Sequence, residues 1–334
     1  MTADGDVEYG AHLPLIDLGT GPSLPALKAY VRAAAGLGYR HLCANDHLLF
    51  GRPWLDGPTA LAALVEESRD MTLATTASLP VLRGPVQLAK TLAAIDVLSG
   101  GRLVVAVAPG SSAADYAAVG LRFQERWRRF DEAVQALRVL LNGDAAGFEG
   151  EFYSTRDVVL EPRPAQRPGP PIWIASWGSP AGLRRVARLG DGWLASAYNT
   201  TPDRFREGLD RLAGELRLAG RPPQSFPSAV ATTWLHVTED NAVAERVRTE
   251  LLAPMLHRPA EALRSLPLLV GPAEACAERL SALVSAGARR VFVWPLRDEV
   301  RQLELFRERV TPLVQQRLSG ARGATGSAGS SPPG

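Results

Sequence analysis

Short apolar runs along this chain alternate with longer segments in which apolar residues recur every three to four positions. The short runs fit strands buried on both faces, and the longer segments fit helices that lay one apolar stripe against them. In order the chain reads EYGAHLPL, a helix over 24–37, YRHLCA, a helix over 59–69, MTLATTA, a helix over 86–98, RLVVAVA, and a helix over 125–141. In that last helix Phe130, Val134, Leu137 and Leu141 recur at helical spacing. The segment FEGEFYSTRDVVLEPRPAQRPGPP interrupts the pattern and reads as a hairpin near 148–160 followed by a proline-rich connection. The alternation resumes with PIWIA, a helix over 180–189, GWLAS, a helix over 202–219, SAVATTWLHV, a helix over 241–252, a helix over 272–286, and ARRVFVW. Strands centred on Tyr9, Leu42, Leu73, Val105, Trp173, Leu194, Thr233 and Phe292 number eight, the number that closes an α/β (βα)8 TIM barrel.

A doubly wound open sheet competes with that reading. It calls for a phosphate-binding glycine fingerprint after the first strand. GTGPSL supplies Gly19 and Gly21 but has Leu24 where the third glycine belongs. The expected organisation is therefore one barrel domain over 1–318, with a lid-like insertion over 253–271. Residues 319–334 are rich in Gly, Ser, Ala and Pro and lack apolar periodicity, which predicts a disordered tail.

Composition narrows the function classes. Of the 334 residues 22% are charged, and the net charge of +2 leaves no electrostatic footprint for nucleic acid. Cys43 and Cys276 are the only cysteines, and the first ten residues lack a basic and then apolar leader, so a reduced cytoplasm is expected. No apolar run approaches the length of a membrane span. HExxH, CxxC, GxSxG and P-loop patterns are absent, and no histidines pair at metal-ligand spacing, so no metal site is expected.

In a parallel barrel the chemistry belongs at the carboxyl ends of the strands. There the chain places Asn45, Asp46 and His47 after the second strand, Thr76 and Ala77 in the third, Gly110 and Ser111 after the fourth, and Ser176, Trp177, Gly178 and Ser179 after the fifth. Histidine titrates close enough to neutrality to move a proton in either direction. The SWGSP turn opens a helix at Pro180, whose free amides suit a phosphate, with Arg184 and Arg185 as further charge. Several of the tryptophans fall at strand ends, which suggests an aromatic substrate pocket built from His12, Phe50, Trp54, Trp177, Trp234 and Trp294. Arg126, Arg128 and Arg129 share a helix with Glu125, Asp131 and Glu132 and read as a solvated face.

GYRHLCANDHLL, LPVLRGPVQLAKTLAAIDVLSGGRLVVAV, RWRRFDEAVQALRVLL and PPIWIASWGSPAGLRRVARLGDGWL together resemble the luciferase-like monooxygenase superfamily over most of residues 7–316. The resemblance is to its branch of oxidoreductases that use the deazaflavin coenzyme F420. It implies a ring-binding site at Asn45, Asp46, Thr76, Ala77, Gly110 and Ser111, with Asp46 and His47 catalytic and a non-prolyl cis peptide near Thr76 and Ala77. The coenzyme's phosphate would lie at 176–179. It further implies hydride transfer to or from a C=C, C=N or C=O group of a small organic substrate, a homodimer, and a flavin or F420 reductase as supplier of reduced cofactor. A reduced-FMN monooxygenase and a non-catalytic luciferase-like subunit are the alternatives. One departure stands out: in sugar-phosphate dehydrogenases of this superfamily an acidic residue lies near Ser111, and a serine hydroxyl is too weak an acid to replace it.

Overall fold

The computed structural model describes residues 7–19 and 21–326. Nine parallel strands are present among them: β1 (Glu8–His12), β2 (His41–Ala44), β3 (Thr72–Ser78), β4 (Leu103–Val107), β5 (Ile172–Ala175), β6 (Gly192–Ser196), β7 (Ser228–Val237), β8 (Leu269–Gly271) and β9 (Arg290–Pro295). Consecutive pairing from β1 to β7, then β7 with β9 and β9 with β1, closes an eight-stranded barrel. β8 stays outside the ring and pairs only with the upper end of β7, at Leu235–Val237. The eight barrel strands are those the hydrophobic pattern predicts, and β8 is an addition within the expected insertion.

Alternation within each strand explains the two cores. On β5, Ile172 and Ile174 face the helices and join the large outer core, whereas Trp173 faces inward. The interior is otherwise built of small residues, Cys43, Ala74, Ala77, Ala106, Ala229 and Ala231, with Leu194 and Phe292. Two glycines make room for its largest rings. A Cβ on Gly192 would stand 2.6 Å from the Trp173 indole, and one on Gly10 would stand 2.5 Å from Phe292.

Most helices match their expected spans, including Leu24–Gly36, Pro85–Leu98, Arg126–Asn142, Pro180–Leu189 and Pro202–Leu218. The helix expected over 59–69 instead runs Gly57–Ala63. Beyond it the Arg102 guanidinium takes Met71 O at 2.6 Å, Val65 O at 3.3 Å and Ser68 Oγ at 3.0 Å, which favours a series of turns over a continued helix. Near 148–155 the chain folds back as expected, with Thr155 N donating to Phe148 O at 2.8 Å and Gly150 N to Tyr153 O at 2.9 Å. The 253–271 segment forms two short helices, Ala253–Leu256 and Ala260–Arg264, before β8. Helical chain follows β9, and its Phe306 is buried 5.1 Å from the Tyr9 ring. The last helix, Thr311–Gly326, runs past the boundary expected at 318. The remainder of that tail, 327–334, lies outside the described residues. Among the described residues no helix is long and apolar enough to cross a membrane.

Candidate functional site

A cavity of about 750 Å³ opens at the carboxyl ends of the strands. Each stretch of its wall comes from a loop that the barrel positions. After β2 the chain leaves with Asn45, Asp46 and His47. Asn45 Oδ1 accepts the Asp46 N–H at 2.8 Å and the Ala77 N–H at 3.2 Å, tying this loop to β3. The peptide joining Thr76 and Ala77 is cis, at the position the family resemblance implies, and the β3–β4 register shifts between Thr75 and Ser78. Thr76 and Ala77 both line the cavity.

Asp46 is deeply buried and fully engaged. It accepts both Arg83 Nε and Nη2, at 2.7 and 2.6 Å, along with the Leu79 N–H at 3.3 Å, and Arg83 also pairs with Asp56. A carboxylate held by a bidentate guanidinium anchors a loop; it is poorly placed to exchange protons. This engagement suits Asp46 to hold in place the loop that carries His47. Burial pushes the His47 imidazole below its usual value, against the opposing pull of Asp115 and Asp46. His47 is accordingly neutral at pH 7 and able to accept a proton.

After β4, Gly110 and Ser111 line the wall. Gly110 sits at φ +84°, where a side chain would be strained and would crowd Leu82 at 3.4 Å. The next turn supplies Asp115, which accepts the Ser112 hydroxyl at 3.0 Å and reaches the cavity although its residue is 1% exposed. This acid is one the motif reading left out of the site. It follows Ser112, which caps the short helix Ala113–Ala118.

After β5, Ser176, Trp177 and Ser179 line the wall, while Gly178, at φ +86°, turns the chain behind them. Ser179 caps the following helix by accepting the Gly182 N–H at 3.1 Å. A Cβ on Gly182 would collide with Ser176 Oγ and Ser179 Oγ, so only glycine leaves this corner open. Ala181, Gly182 and Arg185 complete it. Arg126 also lines the cavity, 4.1 Å from the Phe123 ring centroid, and has no carboxylate partner among the described residues. Arg185 is paired with Asp131 and stacks 4.5 Å from the Trp127 ring. The solvated-face reading of Arg126 is thus overturned, because the first turn of its helix sits at the cavity rim. Arg184 is exposed and outside the wall.

Helix N-terminus, Ser176, Ser179, a glycine cradle and the Arg126 guanidinium, which holds Phe123 O at 3.2 Å and no carboxylate, fit a phosphate. The wall at Thr76–Ala77, together with apolar Leu79, Ala108, Ile174, Ala175 and Leu194, fits a planar ring. Tyr198 and Thr232 close the remaining side. Thr232 lies in a β7 bulge at φ +53°, a conformation a β-branched residue rarely adopts, and its hydroxyl pairs with Ser196. The insertion reaches this rim through Arg258, which donates to Tyr198 O at 2.7 Å. Of the expected substrate residues, Trp177 alone lines the cavity. His12, Phe50, Trp54, Trp234 and Trp294 pack on one another beside it.

The chain is similar to an F420-dependent hydroxymycolic acid dehydrogenase of Mycobacterium tuberculosis, 30% identical over 228 residues that span 65% of this chain and 61% of that protein. It is 27% identical over 324 residues to an F420-dependent glucose-6-phosphate dehydrogenase of Beutenbergia cavernae, covering 87% of this chain and 94% of that protein. An FMNH(2)-dependent dimethylsulfone monooxygenase of Pseudomonas putida is 34% identical over 144 residues, 42% of this chain and 38% of the other. The family model described as luciferase-like monooxygenase matches residues 12–290, and the chain belongs to that family.

Proposed function

We propose that this chain is a coenzyme F420-dependent oxidoreductase that moves a hydride between the deazaflavin ring and a small organic substrate. The observation that carries the proposal is the convergence, in one cavity, of the Thr76–Ala77 wall with the Ser176–Gly182 corner and Arg126. When bound, the deazaflavin ring supplies two-electron hydride chemistry, and carbon at its position 5 makes it a poor activator of oxygen. Ser176, Ser179 and the amides opening the Pro180–Leu189 helix hold the phosphate, and Arg126 and Arg185 offset its charge. Asn45 fixes the loop that carries His47 against the ring wall. Leu79, Ala108, Ile174 and Leu194 exclude water around the ring. His47, neutral through burial, accepts the proton that leaves a substrate hydroxyl when hydride departs, and returns it in the reverse direction.

Titration of the purified protein with oxidised F420 and with FMN tests the reading. F420 is expected to change its absorbance on binding at micromolar concentration, with FMN binding at least tenfold more weakly. Tight FMN binding with substrate-dependent oxygen uptake replaces this reading with a monooxygenase, and a response to neither favours a non-catalytic subunit.

A further inference from the structure

The barrel also opens at its amino end, into a cavity of about 510 Å³ that the proposed reaction leaves without a task. Inward positions on β3 and β4 carry Ala74 and Ala106 there, side chains too small to fill the space beside Trp173 and Phe292. The volume suits a small molecule. Trp173 stands on the cavity wall, is 6% exposed, and makes no hydrogen bond through its indole N–H among the described residues. Buried polar groups are ordinarily paired, and an indole N–H can only donate, so this one asks for an acceptor.

The mouth of this cavity carries both signs of charge. Glu8 is taken by Arg290 and His41, and Asp191 by Arg138. Two charges remain. Arg40 precedes β2 and is held by its backbone between β1 and β3, donating to Tyr9 O at 2.8 Å and accepting from Thr72 N at 2.9 Å. Its exposed guanidinium has no ion-pair partner among the described residues. Asp70 precedes β3, after a turn in which Arg69 takes φ +49° and which Arg102 fixes through Met71 O and Val65 O. The Asp70 carboxylate is exposed and likewise has no ion-pair partner among the described residues. Arg102 attracts it at longer range, but gives its hydrogen bonds to Ser68, Met71, Val65 and Ser99. Because His41 lies opposite Thr72 in the β2–β3 register, Arg40 and Asp70 stand at the same edge of the mouth. A ligand with a single charge meets one of these two groups as a repulsion, whereas a ligand carrying both signs satisfies each.

We propose that the amino-end cavity is a second ligand site, and that it takes a zwitterion with a flat apolar body, an amino acid of the tyrosine kind. The carboxylate lies on Arg40 and the ammonium on Asp70. The ring passes Ala74 and Ala106 toward Phe292, and the phenol oxygen accepts the Trp173 N–H. Every group in this account lies at the amino end, so the site goes beyond the hydride-transfer reading and does not depend on it.

Calorimetric titration of the full chain with L-tyrosine tests the proposal against three analogues. Tyramine lacks the carboxylate, 3-(4-hydroxyphenyl)propanoate lacks the ammonium, and L-phenylalanine lacks the phenol oxygen. Tyrosine is expected to bind about fivefold tighter than tyramine or the propanoate, and about threefold tighter than phenylalanine. Arg40→Gln is expected to bring tyrosine down to the affinity of tyramine and to leave tyramine unchanged. Asp70→Asn is expected to bring it down to that of the propanoate and to leave the propanoate unchanged. Both residues are exposed, so neither change disturbs the core. Affinity for any analogue equal to that for tyrosine, an unchanged tyrosine affinity in both variants, or no saturable tyrosine binding at millimolar concentration overturns the proposal. Should a variant fail to fold, the four ligands on the natural chain decide the matter alone. The titration is repeated with saturating F420, where an unchanged tyrosine affinity is expected; competition between the two would place tyrosine at the carboxyl end and overturn the proposal. Coenzyme binding is read separately from the coenzyme's own absorbance, so its failure sinks the function proposed above and leaves this site intact.

Discussion

The barrel has a cavity at each end, and the two differ in what their polar groups are doing. The amino-end cavity, about 510 Å³, is walled by Ala74, Ala106, Trp173 and Phe292 above a charged mouth. At the mouth Glu8 accepts Arg290 Nε at 2.7 Å and faces His41 Nε2 at 3.2 Å, Asp191 pairs with Arg138 at 2.8 Å, and Arg40 and Asp70 line it as well. The carboxyl-end cavity, about 750 Å³, keeps Arg126 without a carboxylate, a half-buried neutral His47, and an open helix N-terminus. Volume does not separate the two. The half-buried imidazole of His47 and an open helix N-terminus do, and they lie at the end where loops of variable sequence meet a fixed ring of strands.

The largest expected effect is on chemistry at the carboxyl end. His47→Ala is expected to lower kcat by a factor of about 100 or more, with coenzyme affinity changed only a few-fold, as steady-state kinetics and F420 titration would show. With the natural chain, the rate in the direction where His47 accepts a proton should be flat across neutral pH. It should fall only below the ordinary histidine value of about 6.5, since burial lowers the group against the pull of Asp46 and Asp115. Asp46→Asn comes next: it removes the deeply buried partner of Arg83 and leaves only Asp56, at an expected cost of about 2 kcal/mol in denaturant unfolding. Arg126→Ala is expected to weaken F420 about tenfold while leaving thermal stability near that of the natural chain.

The smallest effect belongs to the amino end. Its hydrogen bond with His41, opposed by burial and helped by Arg290, holds Glu8 near 2, below its ordinary 4.5. The stability it contributes is complete above 4.5 and is lost as pH falls through about 2. Solvent screening at this partly exposed pair limits it to about 1 kcal/mol at neutral pH. Glu8→Gln should therefore lower the unfolding midpoint slightly at pH 7, lose that deficit in acid, and leave F420 affinity unchanged. A loss of coenzyme binding in this variant would break the division between the two ends.

How much of this was legible in sequence follows from what periodicity reports. Continuous apolar runs located the eight barrel strands because such runs register burial on both faces. β8 escaped because its three residues lie inside an irregular stretch too short to show a period. The loops after β2, β3 and β5 were placed through their motifs, and the cis bond at Thr76–Ala77 through family resemblance alone. Arg126 was misread because mixed charge on a helix describes its average face, whereas function depends on which single turn meets the rim. The tryptophans at strand ends do gather, yet all but Trp177 gather onto rings and leave the cavity wall to smaller residues. A pattern along the chain states that a side chain is buried; its partner is set by the closure of the barrel.

A crystal structure of the protein with oxidised F420 tests the central claim most directly. The ring is expected against Thr76–Ala77, with the phosphate within hydrogen-bond reach of Ser176, Ser179 and the amides that open the Pro180–Leu189 helix. Coenzyme bound at the Glu8–Arg290 mouth, or a carboxyl-end cavity that stays empty at saturating coenzyme, would contradict it.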